Sequence, residues 1–177
     1  MNLKNKPLFK KIGGLALSIA VLCTSCGPAF AATGSPDTSA TRSLTIHKYR
    51  MEDITKATTE GSGQQTDQVP ADAIPLPGIQ FKVMKMQDTD NTKVDTTWNI
   101  QTVTTGADGA VTIQGNDNLP MGVYRIEEQT NPAVAEKADP CLVSVPLTNP
   151  AGDGWIYNVH VFPKNQIKPG PDIDKFV

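Results

Sequence analysis

The sequence predicts an all-β domain, an antiparallel β-sandwich of immunoglobulin-like character. Three observations lead there. Short runs alternate apolar and polar residues with the two-residue period of a half-buried strand, turn signals separate them, and no stretch beyond the first thirty residues has a convincing amphipathic helical period.

The chain opens on a targeting segment. Lys4, Lys6, Lys10 and Lys11 precede an apolar run from Ile12 to Cys23, and small residues at 29 to 31 offer a cleavage site, so residues 1–31 read as a signal peptide. The protein is therefore expected to be exported. The apolar run is short for a bilayer span and no second one follows. Cys26 followed by Gly27 offers a lipoprotein alternative, but Cys23 stands three positions before it, where an aliphatic residue is expected.

Cleavage changes the charge. The chain has 16 Lys and Arg against 18 Asp and Glu; residues 1–31 hold four of the basic residues and none of the acidic ones, leaving 12 against 18, a net charge of −6. That balance disfavours nucleic acid and anionic membrane as partners. Two of the three cysteines also go, so the mature chain keeps only Cys141 and has no internal disulfide to toughen it.

Residues 32–42, small and polar, read as a flexible lead. The strands follow in order. "SLTIHKY" (43–49) puts Leu44, Ile46 and Lys48 on one face and Thr45, His47 and Tyr49 on the other. A polar stretch from about 55 to 77 is a long loop. "GIQFKVMKM" (78–86) aligns Ile79, Phe81, Val83 and Lys85. "TTWNIQTVTT" (96–105), "AVTIQG" (110–115), "GVYRIEEQT" (122–130), "CLVSVPL" (141–147) and "GWIYNVHVF" (154–162) complete about seven strands, with Gly, Pro, Asn and Asp clusters between them. Residues 131–140 have room for one helical turn at most. Residues 167–177 read as a Pro/Gly connector to a following domain, and the folded domain as 43–166.

Alternation assigns faces to polar residues as well. Lys48 shares its phase with Leu44 and Ile46, and Glu128 with Tyr124 and Ile126; the phase of Trp155, Tyr157, Val159 and Val161, continued past Pro163, turns Asn165 inward and Lys164 outward. Taken singly, each of these polar residues reads as a strand-end group reaching for solvent or capping a turn. Together they suggest chemistry. A lysine neutralised by apolar burial is a nucleophile, a carboxamide is an acyl electrophile, and a buried protonated glutamate can polarise that carbonyl. Lys48 and Asn165 could then join as an isopeptide, with Glu128 as catalyst and ammonia lost.

"GWIYNVHVFPKN" resembles the pilin motif W-x-x-x-V-x-V-Y-P-K-N of Gram-positive sortase-assembled pili, matching at Trp155, Val159, Val161, Pro163, Lys164 and Asn165, with Phe162 where tyrosine is usual. "YRIEEQTNPA" resembles the E-box Y-x-L-x-E-T-x-A-P, matching at Tyr124 and Glu128 and loosely at Ile126, with Gln129 in place of threonine. The resemblance covers residues 43–166. It implies the N-terminal domain of a backbone pilin, or fimbrial major subunit, related to Cna protein B-type domains. It further implies that Lys164 accepts the sorting-signal threonine of another subunit from a class C sortase, and that Lys48, Asn165 and Glu128 form an internal cross-link. The implied location is the cell surface, in a wall-associated pilus. The family's LPxTG-type sorting signal, hydrophobic span and basic tail are absent from the sequence.

Two other function classes compete with a structural polymer subunit. An adhesive module would bind a host protein or glycan through loops such as 55–77 and 131–140. A secreted enzyme would need a histidine with a nucleophile or a metal cluster, but His47 and His160, the only histidines, fall in outward phases and read as solvated strand residues. Catalysis is thus expected to be limited to a single autocatalytic turnover, with no cofactor or metal. "DTDNTKVDTTW" from Asp88 hints at calcium ligands but lacks the glycine and terminal glutamate of an EF-hand loop, so a polar hairpin turn is expected. Cys141 shares the phase of Val143 and Val145 and reads as a small buried hydrophobe.

Overall fold

The computed structural model describes residues 34–50, 61–65, 69, 73–134 and 136–164. Strands and turns make up the described residues, with no helix among them. The strands are β1 (Ser43–His47), β2 (Tyr49–Arg50), β3 (Ile74–Pro75), β4 (Gln80–Gln87), β5 (Asp90–Val94), β6 (Gln101–Thr104), β7 (Ala110–Gln114), β8 (Gly122–Glu128), β9 (Cys141–Val145), β10 (Leu147–Thr148), β11 (Trp155–Ile156) and β12 (Asn158–Val161).

Two sheets enclose one core. The larger runs β5-β4-β8-β9, with β6 sharing the β5 edge of β4: β6 pairs with Gln80–Val83 and β5 with Met86 and Gln87. The smaller runs β12-β1-β7. Leu44, Ile46, Ile113, Val159 and Val161 from the smaller sheet meet Phe81, Val83, Tyr124, Ile126, Val143 and Val145 from the larger. Each is the inward member of a two-residue alternation, which is why the sequence pattern located it. Burying side chains of this size contributes about 1.5–3 kcal/mol apiece and holds the sheets together.

The all-β, immunoglobulin-like expectation holds, but the pairing is not antiparallel throughout. β1 and β12, the first and last strands, run parallel, Ser43 opposite Asn158 and Ile46 opposite Val161. Neither strand's own alternation contains the direction of a partner more than a hundred residues away. The stretch expected as one strand over 154–162 is also divided. β11 pairs with β10, and β12 leaves for β1 after Tyr157, which lies between the two.

The expected flexible lead is pinned where it is described. Arg42 is buried and donates to the carbonyls of Leu119, Thr38 and Ala40. The Asp37 amide donates to the Tyr157 hydroxyl and the Trp155 indole N–H to the Gly34 carbonyl. Small polar composition gave no hint of this, because the anchors are one arginine and two distant aromatic residues. The expected strand over 96–105 shrinks to β6, and β5 appears where a polar turn was expected: its residues are mostly exposed, so there is no apolar alternation to read.

Candidate functional site

Three chain segments converge on a buried ion pair. Lys48 follows β1 directly, at the break before β2, and is 0% exposed. Its backbone is held on both sides: its N–H donates to the Gly109 carbonyl at 2.7 Å and its own carbonyl accepts from the Leu76 N–H at 2.9 Å. Gly109 has φ +71, and a Cβ added to it would lie 2.5 Å from the Lys48 carbonyl oxygen, so only glycine suits this turn. Glu128 ends β8 in the facing sheet, opposite Phe81 of β4, and is 2% exposed. Strand alternation therefore delivers an ammonium and a carboxylate into the same core from opposite walls.

They meet across it. Lys48 Nζ donates to Glu128 Oε2 at 2.9 Å and to the Pro163 carbonyl at 3.1 Å. The same Oε2 accepts the backbone N–H of Ala138 at 3.2 Å. Burial pushes the lysine pKa below its ordinary value, and the carboxylate partner opposes that shift without overcoming it. In so dry a setting one proton passed along the 2.9 Å contact turns an ion pair into a neutral amine beside a carboxylic acid. That is the state in which lysine is nucleophilic.

Pro163 brings the end of the last strand to this amine. β12 stops at Val161, and Phe162, Pro163 and Lys164 leave the ladder, as a residue without an N–H requires. Lys164 is partly exposed. Asn165, expected to supply the acyl group, lies outside the described residues, two positions past the carbonyl that Lys48 touches. Of the other residues in that motif, Val159 and Val161 are core and Trp155 holds the lead segment.

His47 is the expectation that fails. It is 8% exposed and not solvated, packed face to face with Phe162 (ring centroids 4.6 Å apart) and bonded through Nε2 to Nδ1 of His160 at 2.8 Å. Alternation correctly put both histidines on the outer face; it does not reveal what covers that face. The loop 131–140 is likewise more than a surface connection. Val134 and Ala138 are buried, and the Ala138 amide enters the site, a role with no sequence signal because a backbone group performs it. Asp88 and Asp95, from the stretch with a calcium-like pattern, both bind the Lys85 ammonium, at 3.1 and 3.2 Å, and Asp90 takes Thr92 and Lys93. Lys85 keeps its core phase only because those two carboxylates receive its charge.

Residues 86–166 match the family model described as Gram-positive pilin subunit D1, N-terminal domain. The chain is 28% identical over 183 residues to the fimbrial subunit type 1 of Actinomyces viscosus and 28% identical over 187 residues to the fimbrial subunit type 2 of Actinomyces naeslundii, each alignment covering 87% of this chain. It spans about a third of the length of those curated relatives, 33% and 34%. Among solved structures, the fimbrial protein FimP of Actinomyces oris superposes with a TM-score of 0.58 at 26% identity, over 74% of this chain and 31% of that one. The full-length major pilin SpaD of Corynebacterium diphtheriae gives 0.58 at 27% identity, over 75% and 34%.

Proposed function

We propose that this chain, whose residues 86–166 match the model of the Gram-positive pilin subunit D1, N-terminal domain, is a structural subunit of a covalently assembled surface pilus, strengthened by an internal Lys48–Asn165 isopeptide. The observation that supports the cross-link is the buried Lys48–Glu128 pair with its Nζ resting on the Pro163 carbonyl. The reaction balances within the site. Glu128 takes a proton from the Lys48 ammonium; the Nζ lone pair attacks the Asn165 side-chain carbonyl carbon, and the carboxyl protonates the carbonyl oxygen. The carboxyl next moves a proton from Nζ to the amide nitrogen. As the C–N bond of the carboxamide breaks and ammonia leaves, the proton on the oxygen returns to the Glu128 carboxylate, so the carbonyl re-forms, the Nζ–C bond remains and Glu128 is left as the acid. Fixed neighbours make up for a poor electrophile by holding the reacting atoms together.

Lys164 is the acceptor for the link between subunits. Its amine attacks the thioester that a class C sortase forms with the sorting-signal threonine of another subunit; the new amide forms as the C–S bond breaks and the sortase thiolate departs. The strand end places this amine beyond the ladder, next to a rigid proline.

Intact mass of the folded chain tests the internal bond: a mass lower by one ammonia, with a branched peptide joining Lys48 to Asn165, is expected. A folded chain of full mass, even after incorporation into fibres, would overturn the reading.

A further inference from the structure

We infer that the backbone N–H of Ala138 is a positioning group for the Glu128 carboxyl, holding Oε2 against the Lys48 amine so that the carboxyl keeps its orientation while protons pass through it. The inference rests on the internal cross-linking reading above. Lys48 Nζ at 2.9 Å and Ala138 N at 3.2 Å donate to the same Glu128 oxygen, Oε2. They come from separate chain segments and fix the rotation of the carboxyl, whose terminal torsion is otherwise broad. The amide does not move with the reaction: Ala138 and Val134 are both buried and anchor its loop in the core.

Glu128 must accept a proton from Lys48 and then deliver it to the substrate, and both transfers need the same oxygen to stay in line with the amine. The Ala138 amide therefore contributes to the relay by orientation and supplies no side-chain functional group to it.

The test is a full chain in which Ala138 is exchanged for lactic acid, which replaces the amide N–H with an ester oxygen and keeps the methyl group. Ammonia loss is expected to slow roughly tenfold, the weight of one lost hydrogen bond. The same exchange at the exposed Lys137 is expected to leave the rate unchanged. A lactic-acid chain with the original rate would overturn the inference and leave the cross-linking reading standing. Failure of the unaltered chain to lose ammonia would overturn both. A second measurement does not depend on cross-linking: in the Asn165→Ala, Lys48→Met chain, adding Glu128→Leu, which removes the acceptor, should move the Ala138 amide proton upfield and hasten its exchange. An unmoved Ala138 amide would refute the contact outright.

Discussion

His47 and His160 face each other across the only parallel strand pair among the described residues, His47 Nε2 and His160 Nδ1 sharing one proton over 2.8 Å. The groups around His47 are Tyr49 and Phe162, both stacked on its ring, the His160 imidazole, and Asp108 in the turn before β7. Burial lowers the pKa of both imidazoles, and the neighbouring imidazole lowers that of His47 further, with Asp108 opposing. An imidazole whose folded pKa is depressed is protonated first in the unfolded chain. Stability from this pair is therefore complete above a pH of about 6.5 and is lost as pH falls through that value toward the folded pKa values.

The melting temperature is accordingly expected to drop between a pH of about 7.5 and one of about 5.5, above the range where ordinary carboxylates titrate. In a His47→Gln, His160→Gln chain the drop should largely vanish. An equal slope in both proteins would place the acid sensitivity elsewhere.

Removing one member of the buried pair should cost more than removing both. Glu128→Ala strands an ammonium in the core and is expected to destabilise the uncross-linked domain by about 3–5 kcal/mol, whereas Lys48→Met combined with Glu128→Leu should fall close to the parent. Denaturant unfolding in the Asn165→Ala background separates this packing effect from the covalent one. Glu128→Gln, which keeps shape and an acceptor, should fold and fail to lose ammonia; normal loss would remove Glu128 from the chemistry.

Gly109→Ala tests the backbone clamp on Lys48. The turn has φ +71 and the new methyl would lie 2.5 Å from the Lys48 carbonyl oxygen, so strain of about 1–3 kcal/mol is expected, together with slower ammonia loss because the lysine is displaced. Unchanged stability and unchanged rate would show that the turn moves freely without carrying Lys48 along.

Lys164→Arg should leave folding intact and abolish joining to a sorting-signal donor in the presence of sortase, since a guanidinium stays protonated and does not attack a thioester. Mapping of branched peptides reads the outcome. Polymer formed through another lysine would transfer the acceptor role there.

Cys141 is buried in phase with Val143 and Val145, and native-state labelling by thiol reagents should proceed only as fast as the domain opens. Prompt labelling without denaturant would contradict that placement.

The inward positions of Lys48, Glu128 and Cys141 were legible because a two-residue period states a side chain's face whatever its polarity. The same rule misjudged His47: it gives the face and is silent on the cover, here Phe162 and Tyr49. The parallel β1–β12 pairing and the Ala138 amide were beyond its reach, one being a relation between distant strands and the other a backbone group. The lead was misread because its composition is that of a linker, while the arginine that secures it sits at the very edge of the first strand.

Parallel pairing of β1 with β12 has a mechanical consequence. The chain enters the smaller sheet at Ser43, level with Asn158, and leaves it past Val161, level with Ile46, so tension applied through the two ends pulls the neighbouring strands in opposite directions along their length. Their hydrogen bonds are then strained in shear, all together, and cannot be opened one at a time from an end as in a peeled hairpin. Lys48 and the Pro163 carbonyl sit at the downstream end of that ladder, where a covalent tie would take up the pull before the ladder slips.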